Sequence, residues 1–115
     1  DASGNFTASG NITAYSDRRL KENIETIPNA ILLVQRLRGV TFDWIEDKKH
    51  SYGVIAQEVE EVIPELVHET ENGTADGDVK MKIKSVDYSK IVSVLIEAIK
   101  EQQKQIDELK ALIKK

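Results

Sequence analysis

The sequence predicts an α+β fold of short strands and small helices that ends in one long C-terminal helix. Three observations carry this. Short runs of alternating apolar and polar residues are bounded by Gly, Pro and Asn; two brief windows between them have helical spacing; and from Ser89 onward apolar residues recur every three and four positions. The 115 residues suit one compact domain plus an extension. Aromatic residues are only 5% and charged residues 31%, so a single chain has a thin core and burial between chains is expected.

Charge and composition exclude several classes of function. A net charge of −4 argues against a nucleic-acid partner held by phosphate neutralisation. With no cysteine there is neither a disulfide framework nor a thiolate metal site. No apolar run approaches the roughly 18–20 residues that span a bilayer. The opening DASGNFTASGNITAY lacks the basic start and apolar stretch of a signal peptide, so the sequence reads as soluble and as a piece of something longer.

Residues 1–15 contain a repeat with a period of six: Ala2-Ser3-Gly4-Asn5-Phe6-Thr7, then Ala8-Ser9-Gly10-Asn11-Ile12-Thr13. Each copy has one apolar residue and a Gly-Asn turn pair, which suits the end of a stacked β-helical stalk; a flexible Gly/Ser linker is the alternative. The three N-x-T matches, at Asn5, Asn11 and Asn72, are incidental to this turn-rich composition. From Ser16 the composition turns to SDRRLKENIETI, charged with interspersed Leu20, Ile24 and Ile27. Pro28 opens a short helix expected over Asn29–Arg38 and ended by Gly39. Val40–Ile45 and Tyr52–Ala56 read as two hairpinned strands around the polar turn Asp47–His50. A helix over Gln57–Ile63 is stopped by Pro64. Glu65–Glu69 is a further strand, Asn72–Asp78 a Gly-rich turn, and Val79–Val86 a half-exposed strand with Val79, Met81 and Ile83 opposed to Lys80, Lys82 and Lys84.

Ser89 can cap a final helix over 89–115, about 40 Å long. Val92, Leu95, Ile99, Gln102, Ile106, Leu109 and Ile113 form its unbroken heptad seam, beyond which the second half is almost wholly polar. Such a stripe needs partner helices, unless the helix packs on its own domain. The seam implies an oligomer without fixing dimer or trimer. Gln102 reads as a register-fixing polar layer.

Candidate chemistry is sparse. His50 and His68 have no acidic or cysteine partners at metal-ligand spacing, so no metal and no cofactor is expected. Glu58, Glu60 and Glu61 read as the solvated face of a helix. Ser16 and Lys21 remain: a serine hydroxyl needs a base, and a lysine serves once desolvation brings its pKa well below the usual ~10.4. Five residues along an α-helix set two side chains about 140° apart. Ser16 must therefore precede the helix or lie on a strand, or the lysine must come from another chain.

Four blocks occur in order: SDRRLKENI, GVTFDW, YGVIAQEVEEVIPELV and VDYSKIVSVLIEAIKEQQKQIDELK. Together, over residues 16–115, they resemble the intramolecular chaperone domain of phage endosialidase tailspikes, L-shaped tail fibres and neck appendages, with a relative in the eukaryotic myelin regulatory factor. The resemblance implies two parts, an α+β part over 16–88 and a coiled-coil helix over 89–115. It implies a homotrimer whose C-terminal helices bundle and whose β-hairpin arms hold the upstream stalk of the same polypeptide. It further implies self-cleavage of the Tyr15–Ser16 bond, with Ser16 as nucleophile and Lys21 as base; the remaining motif residues Asp17, Arg19 and Asn23 are assigned only to orientation or structure. The corresponding locations are the host cytoplasm during phage assembly and the virion tail; no nucleic-acid or membrane partner is implied. A non-cleaving trimerisation module and the self-cleaving domain of a transcription-factor precursor are the alternatives.

Overall fold

The computed structural model describes residues 14–72 and 81–114. The hexad repeat lies outside the described residues, as do most of the Gly-rich turn after Asn72 and the start of the strand read from Val79. The described chain runs through a 3-10 turn (Arg18–Leu20), α1 (Ala30–Arg36), β1 (Val40–Asp43), β2 (His50–Gly53), α2 (Ala56–Val62), a second 3-10 turn (Pro64–Leu66), β3 (Val67–Asn72), β4 (Met81–Val86) and α3 (Tyr88–Ile113). β1 pairs antiparallel with β2, and β3 with β4, as two separate two-stranded sheets.

Helix α1 is shorter than its apolar spacing implies. Asn29 is left-handed (φ 54°, ψ 40°), so the helix begins at Ala30, and Leu37 turns extended, ending it before Gly39. No side chain of Asn29 caps the helix. The cap comes from α3 instead: the Glu101 carboxylate accepts the N–H of Ala30 at 2.6 Å and of Ile31 at 3.3 Å. Beneath it Ala30 packs with Val94 and Ala98, flanked by Ile27, Ile31, Leu33, Val34 and Ile63. The small residues Ala30 and Ala98 let the two helices approach closely.

The β1–β2 register places Val40 opposite Gly53 and Asp43 opposite His50. The strands end early because Trp44 bonds into the turn, its N–H to the Lys49 carbonyl at 2.9 Å and its carbonyl to the Lys48 N–H at 2.8 Å. Half-buried Phe42 and Trp44 meet edge to face, with centroids 4.9 Å apart. β2 stops at Gly53 because the Val54 N–H donates to the Tyr88 hydroxyl at 3.2 Å rather than to a strand. A Cβ on Gly53 would stand 2.7 Å from that hydroxyl oxygen, so a larger residue there must displace Tyr88. α2 ends at Val62, before Pro64 as expected, and buries Val59; the turn at Pro64–Leu66 buries Leu66 and delays β3 to Val67.

β4 reverses the expected sense of its alternation. Ile83 is 44% exposed, whereas the Lys84 side chain is only 25% exposed and faces α2. Glu60 on α2 and Glu69 across the sheet both pair with Lys84, and the hydrogen bond that Lys84 donates to Glu60 holds its ammonium above the usual lysine range. Two carboxylates thus compensate the partial burial that an apolar residue was expected to occupy. α3 begins one residue before Ser89: Asp87 occupies the cap position, and the Ser89 hydroxyl donates to its carboxylate at 2.7 Å. Among the described residues the buried side chains are Ala30, Val59, Leu66, Val94 and Ala98, a thin core with no aromatic member. No helix among them is long and apolar enough to cross a membrane.

Candidate functional site

Ser16 and Lys21 lie on either side of the first 3-10 turn, and both are exposed. Asp17 enters the turn extended (φ −67°, ψ 130°) and Lys21 leaves it extended (φ −124°, ψ 149°). This extended–turn–extended path replaces the continuous helix that would separate the two side chains. Within one chain, Lys21 Nζ donates to Ser16 Oγ at 2.9 Å. Tyr15, on the other side of the candidate scissile bond, is 95% exposed.

The turn is held at its entrance. Asp17 Oδ1 accepts the Arg19 N–H at 2.8 Å, and its two oxygens take the Arg19 guanidinium at 3.1 and 2.8 Å. That guanidinium, together with the backbone bond, keeps the Asp17 carboxyl below the ordinary carboxylate range. Asn23 follows in the left-handed region (φ 54°), a conformation asparagine tolerates better than most residues, and redirects the chain toward Ile27. When Nζ is an ammonium it donates to Oγ. Once neutral, it can accept the hydroxyl proton across the same contact, the geometry a general base requires.

The seam residues Val92, Leu95, Ile99, Gln102, Ile106, Leu109 and Ile113 all lie along α3 and are all exposed. The helix residues buried against its own domain are Val94 and Ala98, off the seam, and from Gln102 to Lys114 every residue is exposed. Ile96 and Leu112 flank the seam and are exposed too, widening the apolar stripe. At its upper end, Ile31, Val34 and Gln35 of α1 join Leu95, Ala98, Ile99 and Gln102 around a shallow depression of about 190 Å³.

Three of the other titratable candidates, Glu58, Glu60 and His50, have structural partners. Glu58 pairs with Arg38 at 2.6 Å and Glu60 with Lys84, so this helix face is tied into ion pairs rather than only solvated. His50 Nδ1 meets Asp43 Oδ1 at 2.7 Å across the β1–β2 ladder, a partner set by strand register rather than by sequence spacing. Among the described residues no three His, Cys, Asp or Glu side chains are placed to hold a metal ion.

The chain is similar in sequence to known proteins. Residues 16–68 match the peptidase-type family described as chaperone of endosialidase, and the match begins at Ser16. The chain is 30% identical to the long tail fiber protein Gp37 of Salmonella phage S16, over 99% of this chain and 17% of that protein. It is 33% identical to Gp37 of Enterobacteria phage K3, over 88% of this chain and 8% of that one. With Gp37 of Enterobacteria phage Ox2 it shares 34% identity, over 93% of this chain and 42% of the relative. The chain therefore spans less than half the length of these curated relatives. Residues 16–68 thus match the chaperone-of-endosialidase family from Ser16 through the first hairpin to β3, and the chain as a whole aligns with phage long tail fibre proteins; together the two matches support a tail-fibre chaperone domain.

Proposed function

We propose that this chain is an intramolecular chaperone that trimerises through α3, directs the folding of an upstream β-helical fibre segment, and then cuts itself free at Tyr15–Ser16. The observation that carries the reading is the 2.9 Å contact between Lys21 Nζ and Ser16 Oγ at the start of the family match. In the proposed step neutral Lys21 takes the Oγ proton as Oγ attacks the Tyr15 carbonyl carbon. The C–N bond to Ser16 breaks, its nitrogen receives the proton from Lys21, and Tyr15 is left as an ester on Oγ. Water hydrolyses the ester, giving a Tyr15 carboxylate and a chain that begins at Ser16.

Because the contact forms inside one chain, assembly is not needed to bring the two groups together. Both remain exposed, however, and a lysine becomes an effective base when water is excluded. Cover from neighbouring copies would supply that exclusion and make cutting report completed assembly. The exposed α3 stripe supports such assembly. Burying one aliphatic side chain is worth about 1.5–3 kcal/mol, so covering the six apolar seam residues rivals the single chain's own core, two of whose five buried residues are alanines. Apolar flanks at Ile96 and Leu112 make the stripe wider than a strict two-position seam and add to the area that neighbouring copies would cover. Interwoven β-coils have non-local contacts and nucleate slowly; a helix that joins the chains first raises their effective concentration. The relatives, all long tail fibre proteins, favour a fibre partner in the same polypeptide over a transcription factor, with assembly in the host cytoplasm and residence in the virion tail.

The exposure of Ser16 and Lys21 also suits a second reading, a trimerisation module that does not cut. Intact-mass measurement of fresh chain separates the two. Self-cleavage yields a fragment starting at Ser16 that Ser16→Ala and Lys21→Ala both abolish; uncut wild-type chain, or cutting that survives either substitution, contradicts the peptidase reading.

A further inference from the structure

We propose that Asp17 is the positioning residue of this site: it sets the turn that brings Lys21 to Ser16 and takes no part in proton transfer itself. The inference deepens the self-cleavage reading and rests on it for its kinetic test only. A three-residue 3-10 turn is intrinsically weak, with poor hydrogen-bond geometry and little cooperativity. This one buries no side chain, so the hydrophobic core does not hold it. Two backbone bonds close it, Leu20 N–H to the Asp17 carbonyl at 3.0 Å and Lys21 N–H to the Arg18 carbonyl at 3.1 Å. Apart from the Lys21–Ser16 contact itself, the side-chain bonds at the turn are those of Asp17, which accepts the Arg19 N–H at 2.8 Å and the Arg19 guanidinium through both oxygens. Asp17 makes no hydrogen bond to Ser16 Oγ or Lys21 Nζ, so its effect on them passes through the backbone. Without the cap the segment samples other conformations, and the fraction with the two groups in contact falls.

The test compares Asp17→Ala with Asp17→Ser and Asp17→Asn, which keep an oxygen able to accept the Arg19 N–H, in the 115-residue chain. Cutting at Tyr15–Ser16 is followed across pH, with sedimentation and thermal melting alongside. The nuclear Overhauser contact between Lys21 Hε and Ser16 Hβ is read by NMR. Asp17→Ala should slow cutting about 3- to 30-fold at every pH, with the shape of the pH profile, the oligomeric state and the melting temperature unchanged. It should also weaken the Overhauser contact, and Ser and Asn should restore both readouts. Wild-type cutting in Asp17→Ala, failure of Ser and Asn to restore it, or a pH profile of altered shape would overturn the proposal. If wild type does not cut, the Overhauser contact still decides: its dependence on residue 17 upholds the positioning role while the peptidase reading falls, and its indifference to residue 17 refutes the role.

Discussion

The Glu101 carboxylate on α3 accepts the backbone N–H of Ala30 at 2.6 Å, although 71 residues separate them. A helix N-terminus leaves several N–H groups without intrahelical partners, and a negative charge there also favours the helix dipole. Glu101 thus caps one helix from another and fixes α1 beside the seam residues Ile99 and Gln102. Glu101→Ala should destabilise the chain by about 0.5–2 kcal/mol, and Glu101→Gln, which keeps an acceptor, by less. Chemical denaturation measures both, and equal losses would show that the cap does not matter.

Gly53 and Tyr88 are coupled by space as well as by a hydrogen bond. Gly53→Ala drives a methyl against the Tyr88 hydroxyl, at a cost of about 1–3 kcal/mol. Tyr88→Phe alone loses the bond from Val54 but removes the oxygen that the methyl meets. The double variant should therefore be less destabilised than the sum of the singles, and strict additivity in a double-mutant cycle would exclude the clash.

Ile106 lies on the seam within the stretch of α3 in which every residue is exposed. Ile106→Asp should dissociate the assembly at micromolar concentration while leaving the Ala30–Val94–Ala98 core intact. Sedimentation together with the amide dispersion of α1 would show it. Retention of the oligomer would move the interface away from the seam.

Acid should weaken the fold through specific carboxylates. Glu58 is held below its ordinary range chiefly by the hydrogen bond from Arg38, and Asp87 chiefly by the bond from Ser89. Depressed folded values mean that the unfolded chain binds protons first as pH falls. Their contribution is complete above the ordinary range near pH 4 and is lost as pH drops below it through the lower folded values. Melting temperature should fall over that window, and less steeply in Glu58→Gln. An identical acid profile would remove Glu58 from the account.

The sequence was most legible where one periodicity served one face. The heptad spacing located α3 and its exposed stripe, and Pro64 marked the end of α2. The alternation around Asp47–His50 gave the first hairpin, whose limits shifted because Trp44 and Val54 bond outside the ladder. Periodicity did not say which face of β4 turns inward: Lys84 does, because Glu60 and Glu69 meet it from two other elements. Left-handed Asn29 and the cap from Glu101 were invisible for the same reason, since both depend on packing between segments distant in sequence. At the candidate site the residue types were legible but their contact was not, because it depends on a turn that only the Asp17 cap makes intelligible.

The chaperone role proposed for this chain depends on copies joining through α3. Sedimentation equilibrium of the purified 12.9 kDa chain at micromolar concentration tests that directly. A single species at three times the chain mass is the predicted result, and a folded species at the mass of one chain would contradict it.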